Sequence, residues 1–342
     1  MRVVNVDPSE DQLWDVLVSS KDSDVFNSPP WLRVLGRSYG FDLKSAIVVD
    51  EANNPTSGVA YCRVDGVRGE RVSSLPFSDY CDPLIDTADD WERLKPALEH
   101  PSLPTTLRVL HNTVVAEDPG LERAGEAAWH AVDLDRSVED IWASLDSGAR
   151  RAIRKAEGSG VKTRESTDIE DLETFFSMHL RVRKYRHRLL AQPYRFFEAI
   201  HEEFFTGGSG FLMLSEVDDQ MVGGIVFLVW KDRLYYKLNA WESDFSKNRP
   251  NDAAMWAGVE RGVELGLKRL DLGLSDIDQD GLVRYKRKYA TTEKRIQILT
   301  TGPATERREL AFVPDLVEML TSSEVPDAVT KRSGDLLYHL FA

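Results

Sequence analysis

The sequence predicts an α+β protein of two tandem, related halves, each a mixed central sheet flanked by helices. Three observations carry this. Over the second half the elements read helix, helix, three strands, helix, strand, helix, strand. The central strands FLMLSEV and MVGGIVFLVW are apolar on both faces, so they must be covered on both sides. VVDEANNPTSGVAYCRV in the first half also repeats the plan of LSEVDDQMVGGIVFLVW in the second: strand, acidic turn, glycine, apolar strand. The expected division is 1–135 and 136–342, the second half ending in a helical tail, with a cleft shared between the halves.

PSEDQLWDVLVS opens on proline and acidic residues and places Leu13, Trp14, Leu17 and Val18 on one helical face. PPWLRVLGRSYG predicts a second helix stopped by Gly40. KSAIVVD, a polar turn and VAYCRV then form a hairpin, RVSSLPF a further strand, and SDYCDPLID an irregular loop. After a helix near 89–99, TTLRVLHN and AWHAVDL are strands. SVEDIWASLDSGARRAIRKAEGSG reads as one helical stretch with Ser137 and Asp140 as its capping pair. Short VKTRES follows, then a helix over about 168–185 and another that begins on Pro193. GGSG at 207–210 lacks a following helix and is read as a helix-to-strand turn, not a phosphate loop. RLYYKLNAW, NDAAMWAGVERGVELG, KRLDLG, GLVRYKRKY and KRIQILT complete the alternation, and the chain from 303 onward is expected to be helical.

The chain has 342 residues and a formal net charge of −14, which argues against broad binding to nucleic acid and excludes DNA as a partner. Its two cysteines, Cys62 and Cys81, suit neither a metal site nor a disulfide framework. No signal core and no long apolar run is present, so a cytoplasmic protein without integral membrane contact is expected. HExxH and GxSxG patterns are absent; no metal, cofactor or serine nucleophile is expected.

Three clusters could carry chemistry. RVRKYRHR, residues 181–188, holds five positive side chains and a histidine in an acidic protein. Arg181 and Arg183 could fork a phosphate or carboxylate, or the run could be a solvated helix end. In DLGLSDIDQDGLVRYKRKYA a strand delivers Asp271 to its end, and a short helix then carries Tyr285, Lys286 and Tyr289. Asp271 could instead cap the loop, and the tyrosines could be packing residues. In SLPFSDYCDPLID, Asp79, Tyr80 and Asp82 lie in a loop where ligand contacts concentrate, or form a plain turn.

Taken in order, SLPFSDYCDPLID, ARRAIRKAEGSGV, LRVRKYRHRLLAQPYRFF, LYYKLNAWESDFSKNRPNDAAMWAGVERGVELGLKRLDLG and GLVRYKRKYA resemble the FemAB-like family over roughly residues 25–340. The resemblance implies two lobes of the GNAT (acyl-CoA N-acyltransferase) fold and transfer of an acyl group to an amine. The best known members move an amino acid from aminoacyl-tRNA to a peptidoglycan precursor in cell-envelope biosynthesis; others serve polysaccharide or small-molecule pathways. The family's aromatic–Lys motif falls on Tyr285-Lys286, with Tyr where Phe is usual. The implied catalytic set is Lys286, Tyr236 and Asp271. Arg181, Arg183, Tyr235, Tyr285, Asn239, Tyr80 and Asp82 are the implied substrate contacts. One of Tyr235 and Tyr236 faces the cleft, since strand side chains alternate.

The donor is read from a departure. ESDFSKNRPNDAAMW stands where CoA-dependent GNAT enzymes place a glycine-rich turn for the pyrophosphate, and it has Lys247 and Arg249 but no such glycines. This favours aminoacyl-tRNA or another carrier-bound donor over acyl-CoA. The amine acceptor could be an envelope precursor, a polysaccharide or a small metabolite, possibly phosphorylated. An acyl-CoA-dependent N-acetyltransferase and a non-catalytic nucleotide-sugar or ligand-binding module are the alternatives.

Overall fold

The computed structural model describes residues 1–301 and 312–342. The chain divides into two compact units. The first comprises Met1–Ala127, Arg295–Val313 and His339–Ala342; the second comprises Ala128–Lys294 and Pro314–Tyr338.

The first unit contains β1 (Arg2–Val6), α1 (Gln12–Ser20), α2 (Pro29–Tyr39), β2 (Leu43–Val49), β3 (Pro55–Val64), β4 (Arg71–Ser73), α3 (Ala88–Leu94), β5 (Thr105–Val109), α4 (Thr113–Ala116) and the start of β6 (Glu122–Asp133). The Asp11 carboxylate caps α1 by accepting the Leu13 N–H, and Trp14, Leu17 and Val18 form its buried face. Each such side chain contributes on the order of 1.5–3 kcal/mol by leaving water. Ser28 caps α2, and Gly40 ends it in the left-handed region at φ 72°. Strands β1 to β4 pair antiparallel in sequence order, whereas β4 and β5 run parallel through Val72↔Thr105 and Ser73↔Thr106.

The second unit continues with α5 (Val138–Ser144), α6 (Ser147–Gly158), β7 (Lys162–Ser166), α7 (Ile169–Arg181), α8 (Tyr194–Ile200), β8 (Gly210–Val217), β9 (Gln220–Trp230), β10 (Arg233–Trp241), α9 (Pro250–Glu264), β11 (Arg269–Asp276), α10 (Asp280–Arg287) and the start of β12 (Thr292–Thr300), whose residues from Arg295 belong to the first unit. Two tail helices, α11 (Val313–Leu320) and α12 (Asp327–Leu337), follow. Strands β7 to β10 are again antiparallel in order, and β10 and β11 are again parallel. The duplicated hairpin read from the sequence is present as β2–β3 and β8–β9, the latter turning on Asp218 and Asp219 with φ 50° and 60°. The architecture is α+β, with mixed sheets flanked by helices in both units.

A sixth strand completes each series, and it comes from the other half of the sequence. The neighbour of β5 is β12, through Gln297↔Val109 to Thr300↔Thr106, and the neighbour of β11 is β6. The units are therefore discontinuous where the sequence suggests one cut between 135 and 136: strand pairing, not chain order, decides membership.

Beneath α6 and α9 the second unit packs Ile153, Met213, Phe227, Leu234, Trp256 and Val259 into one cluster. Gly258 lets α9 sit down on the Phe227 ring, which a Cβ there would penetrate. Local departures from expectation have local causes. The single helix expected over 137–158 is two, because Leu145 is extended and Asp146 caps a fresh start. RVSSLPF pairs only through Ser73, as Leu75 and Phe77 take positive φ. RVVNV, unassigned in the sequence reading, pairs with β2 as β1. The part of the expected helical tail at 303–311 lies outside the described residues. Among the described residues no helix is long and apolar enough to cross a membrane.

Candidate active site

The site is built where β10 and β11 part. Their parallel register comprises Arg233↔Arg269, Leu234↔Leu270 and Tyr235↔Asp271 and stops there, although β10 runs on to Trp241 and β11 to Asp276. On its other edge β10 shifts register against β9 between Tyr236 and Leu238. A bulge at such a point bends the strand and increases its twist.

The DLG sequence explains the course of β11. The Asp271 carboxylate accepts the Gly273 N–H at 2.6 Å, two residues on, and Gly273 takes φ 70°, which a residue with a Cβ reaches only under strain. The carbonyls of Gly273 and Leu274 meet the Lys286 ammonium, whose Nζ donates to them at 3.1 and 2.7 Å. Lys286 is buried, 3 % exposed, on the inner face of α10. A desolvated ammonium requires such acceptors, so the motif pair DLG and YK forms one local assembly.

Around this assembly lie phenols. Tyr235 and Tyr236 are buried on β10, and Tyr285 and Tyr289 stand one turn apart on α10 and just beyond it, ring centroids 5.5 Å apart. Tyr285 donates to the Asn251 carbonyl at 3.4 Å, and Tyr289 to Asp252 Oδ1 at 2.7 Å, in the first turn of α9. Burial raises the pKa values of Tyr236, Tyr285 and Tyr289, with neighbouring Asp252 adding to the last two. They are neutral hydrogen-bond donors at physiological pH, not bases. Burial also raises the Asp252 carboxyl, against the Tyr289 hydroxyl and the charges of Arg249 and Lys288.

Asp252 was not legible as a site residue, because an acidic side chain in a first helical turn reads as an ordinary partner of the helix dipole. His130 on β6 was missed for a similar reason, lying in the plain strand AWHAVDL. It is fully buried with Nε2 3.2 Å from Glu293, which Arg287 grips at 2.6 and 2.7 Å. Arg287 foremost, with His130, holds the Glu293 carboxyl down at about 2. Burial lowers His130, and Lys286 and Arg287 push the same way against Glu293.

The arginine run makes its contacts elsewhere in the unit. After Arg181, α7 widens into a π-helical turn, Val182–His187, closed by Arg188 at φ 54°. Arg181 pairs with Glu242, Arg183 Nε donates to the Leu190 carbonyl at 3.0 Å, and Arg186 lies over the Trp241 ring. Lys184 is fully buried with its ammonium on Asp327 Oδ1 at 2.8 Å and the Val325 carbonyl, and Arg188 donates to the Thr321 carbonyl. Asn239 lies near the far end of β10, its backbone among the groups that bear on the buried His179. The structure thus groups Lys286, Asp271, Tyr236 and Tyr285, with Tyr235 beside Asp271 in register but on the face of β10 opposite Tyr236, and places Arg181, Arg183 and Asn239 in a second cluster around α7, whose following Lys184 and Arg188 hold the tail.

Tyr80 and Asp82 belong to the first unit. Tyr80 is buried and donates to Asp24 at 3.0 Å. Asp82 accepts the backbone N–H groups of Leu110, His111 and Asn112 at 3.0–3.1 Å, which fixes the turn into α4. Burial and the Asp24 carboxylate push the Asp82 carboxyl up to about 7, against those three donors. The plain-turn reading accounts for every contact described for Asp82.

Comparison with known proteins gives a consistent fold. Residues 143–287 match the acetyltransferase (GNAT) domain family. FemX, 14 % identical, superposes with a TM-score of 0.70 over 93 % of this chain and all of its own. The C-terminal domain of a protein assigned as a lysylphosphatidylglycerol synthetase from Agrobacterium fabrum gives 0.57 at 12 % identity, over 89 % and 94 % of the two chains. A tandem GNAT protein from the clavulanic acid biosynthesis pathway gives 0.50 at 12 %, over 89 % and 99 %. No curated protein matches by sequence.

Proposed function

We propose that this chain, which carries a GNAT acyltransferase domain over residues 143–287, is an N-acyltransferase of FemAB type. It moves an aminoacyl or acyl group from a carrier, aminoacyl-tRNA being favoured, to an amine on an envelope precursor, a polysaccharide or a small metabolite. The observation that carries this reading is the meeting of Lys286 with the Gly273 and Leu274 carbonyls where β10 and β11 part. Amide formation needs an uncharged amine, a donor carbonyl at attack distance and charge stabilisation for the tetrahedral oxyanion. Lys286 supplies the positive charge, Tyr236 orients the carbonyl as a neutral donor, and Asp271 holds the strand that presents Lys286's acceptors. In this reading Asp252, whose carboxyl burial raises and which accepts the Tyr289 hydroxyl, takes the amine proton.

The start of α9 supports a donor other than CoA. It has Pro250 at its first position and the Asp252 carboxylate in its first turn, a poor seat for a pyrophosphate. The two cysteines are free and buried, in keeping with a reducing, cytoplasmic setting. The test is label transfer from charged tRNA and, separately, from acyl-CoA to a panel of amines. Transfer from tRNA alone is expected, with Lys286→Ala lowering turnover about 10²–10³-fold. Transfer from acyl-CoA alone selects the N-acetyltransferase reading, and a folded Lys286→Ala enzyme at full turnover removes the role of Lys286.

A further inference from the structure

The two basic segments of the second unit are put to different uses. RVRKYRHR spends its charges on Glu242, Asp327 and carbonyls of the chain. ARRAIRKAEGSGV does not. On α6, Arg151, Arg154 and Lys155 are exposed along one face, and none of them makes an ion pair among the described residues. Arg151 Nη1 donates to the Ser147 hydroxyl at 3.1 Å, and the Arg154 guanidinium lies 5.4 Å from the centre of the Trp142 ring. The row continues past the helix. Asp146 N–H donates to the Lys288 carbonyl at 3.0 Å, joining the start of α6 to the end of α10. A Cβ on Gly148 would lie 3.8 Å from both Arg151 Nη2 and Lys288 Cε, so these two cations share one spot. Arg249 is exposed at the start of α9, and its charge and that of Lys288 both act on the Asp252 carboxyl. Neither Lys288 nor Arg249 makes an ion pair among the described residues. The neighbouring acids have other work: Asp146 accepts the Gly148 N–H, and Glu157 bears on Glu260 of α9.

We propose that Lys155, Arg154, Arg151, Lys288 and Arg249 form a phosphate track that receives the single-stranded end of an RNA and leads it to the first turn of α9. The track rests on the proposed RNA-borne donor and gives that donor its docking surface. Guanidinium groups fork phosphate oxygens, and ammonium groups neutralise them as point charges. On α6 successive cations stand about 5–6 Å apart, close enough to follow one strand. The net charge of −14 does not stand against this, because the field at a surface is set by its own lining. A bilayer fits the face less well. A helix that lies on a membrane carries apolar side chains beside its cations, and among the described residues no exposed large apolar side chain lies on α5, α6 or α10. A phosphodiester strand needs no such anchor.

The test is fluorescence anisotropy of the full chain with a labelled single-stranded RNA dodecamer across a salt series, with phosphatidylcholine–phosphatidylglycerol vesicles as the second probe. A Kd of about 10⁻⁴–10⁻⁶ M is expected, with log K falling against log salt at a slope of roughly −3 for about four phosphate contacts. Arg151→Gln and Lys288→Gln should each weaken binding and reduce that slope by about 0.7, whereas Arg195→Gln, at an exposed position on α8, should bind like the parent. No RNA binding by the parent, or undiminished binding when Arg151 and Lys288 are both replaced, overturns the track. So does binding to vesicles without binding to RNA, which would make the face a membrane site. Label transfer from charged tRNA by a parent that binds no dodecamer would remove the track and leave the transferase standing. Track-dependent binding without transfer from any donor would do the reverse.

Discussion

The Tyr289 hydroxyl donates to Asp252 Oδ1 at 2.7 Å, and both groups are buried. This bond ties the end of α10 to the first turn of α9 and opposes the upward push of burial on the Asp252 carboxyl. Tyr289→Phe leaves a buried acceptor without its donor, which costs about 1–3 kcal/mol in urea denaturation. Removing a lowering influence raises the Asp252 pKa further. If Asp252 takes the amine proton, the acidic limb of the pH–rate profile moves to higher pH in this variant, and an unmoved limb excludes that role.

Gly273→Ala addresses the turn that orients the acceptors of Lys286. At φ 70° an added Cβ costs roughly 1–2 kcal/mol, read as a lower denaturation midpoint. The same strain turns the Gly273 and Leu274 carbonyls, so transferase activity is expected to fall further than the lost stability alone explains. Full activity in a destabilised but folded variant would separate the turn from catalysis.

Lys184 shows how much of the arginine-rich segment is structural. Its ammonium, fully buried, holds Val325 and Asp327 at the start of α12, and the Tyr185 hydroxyl adds a second bond to Asp327 at 2.7 Å. Lys184→Met deletes the charge while keeping the stem. Asp327 is partly exposed and can rehydrate, so the loss is about 1–3 kcal/mol, short of that for a fully buried pair. Faster proteolysis of the 313–342 segment is the expected readout.

His179 predicts how stability changes with acid. Burial, with Arg183 and His187 adding to it, lowers its pKa from 6.5 to about 4, and it shares a 2.8 Å hydrogen bond with Gln192. Below pH 6.5 the unfolded chain takes up a proton that the folded chain refuses. Stability from this group is therefore complete above 6.5, declines as pH falls, and is gone near 4, for a total of about 3 kcal/mol. In His179→Gln the denaturation midpoint should be flatter between pH 6.5 and 4 than in the parent.

How much was legible follows from the range of the forces involved. Local signals held: the Ser137–Asp140 cap, Gly40 as a stop, the apolar face of α1 and the duplicated hairpin all depend on residues within a few positions. The DLG and YK segments drew attention as chemistry-bearing, and they do form one assembly. Its hydrogen bonds, from Asp271 to Gly273 and from Lys286 to the same turn, span at most thirteen residues. The basic run was harder to read. Lys184 and Arg188 find their partners more than 130 residues away, and nothing in RVRKYRHR says that its charges meet carbonyls of the tail. Asp82 was equally opaque, since its donors come from another strand end. Strand neighbours are the least local feature of all, and the pairing of β12 with β5 had no signal in the order of elements.

That pairing has a consequence for the connection between β6 and α5. Cleaving the backbone at Arg136 would leave each sheet dependent on both pieces, because β12 lies next to β5 and β6 next to β11. The nicked chain would hold together by interlocked strands without a covalent link, and neither piece alone could hide its open edge. Gene truncation at that connection would therefore yield two sticky fragments, not the two independent modules that the internal duplication suggests.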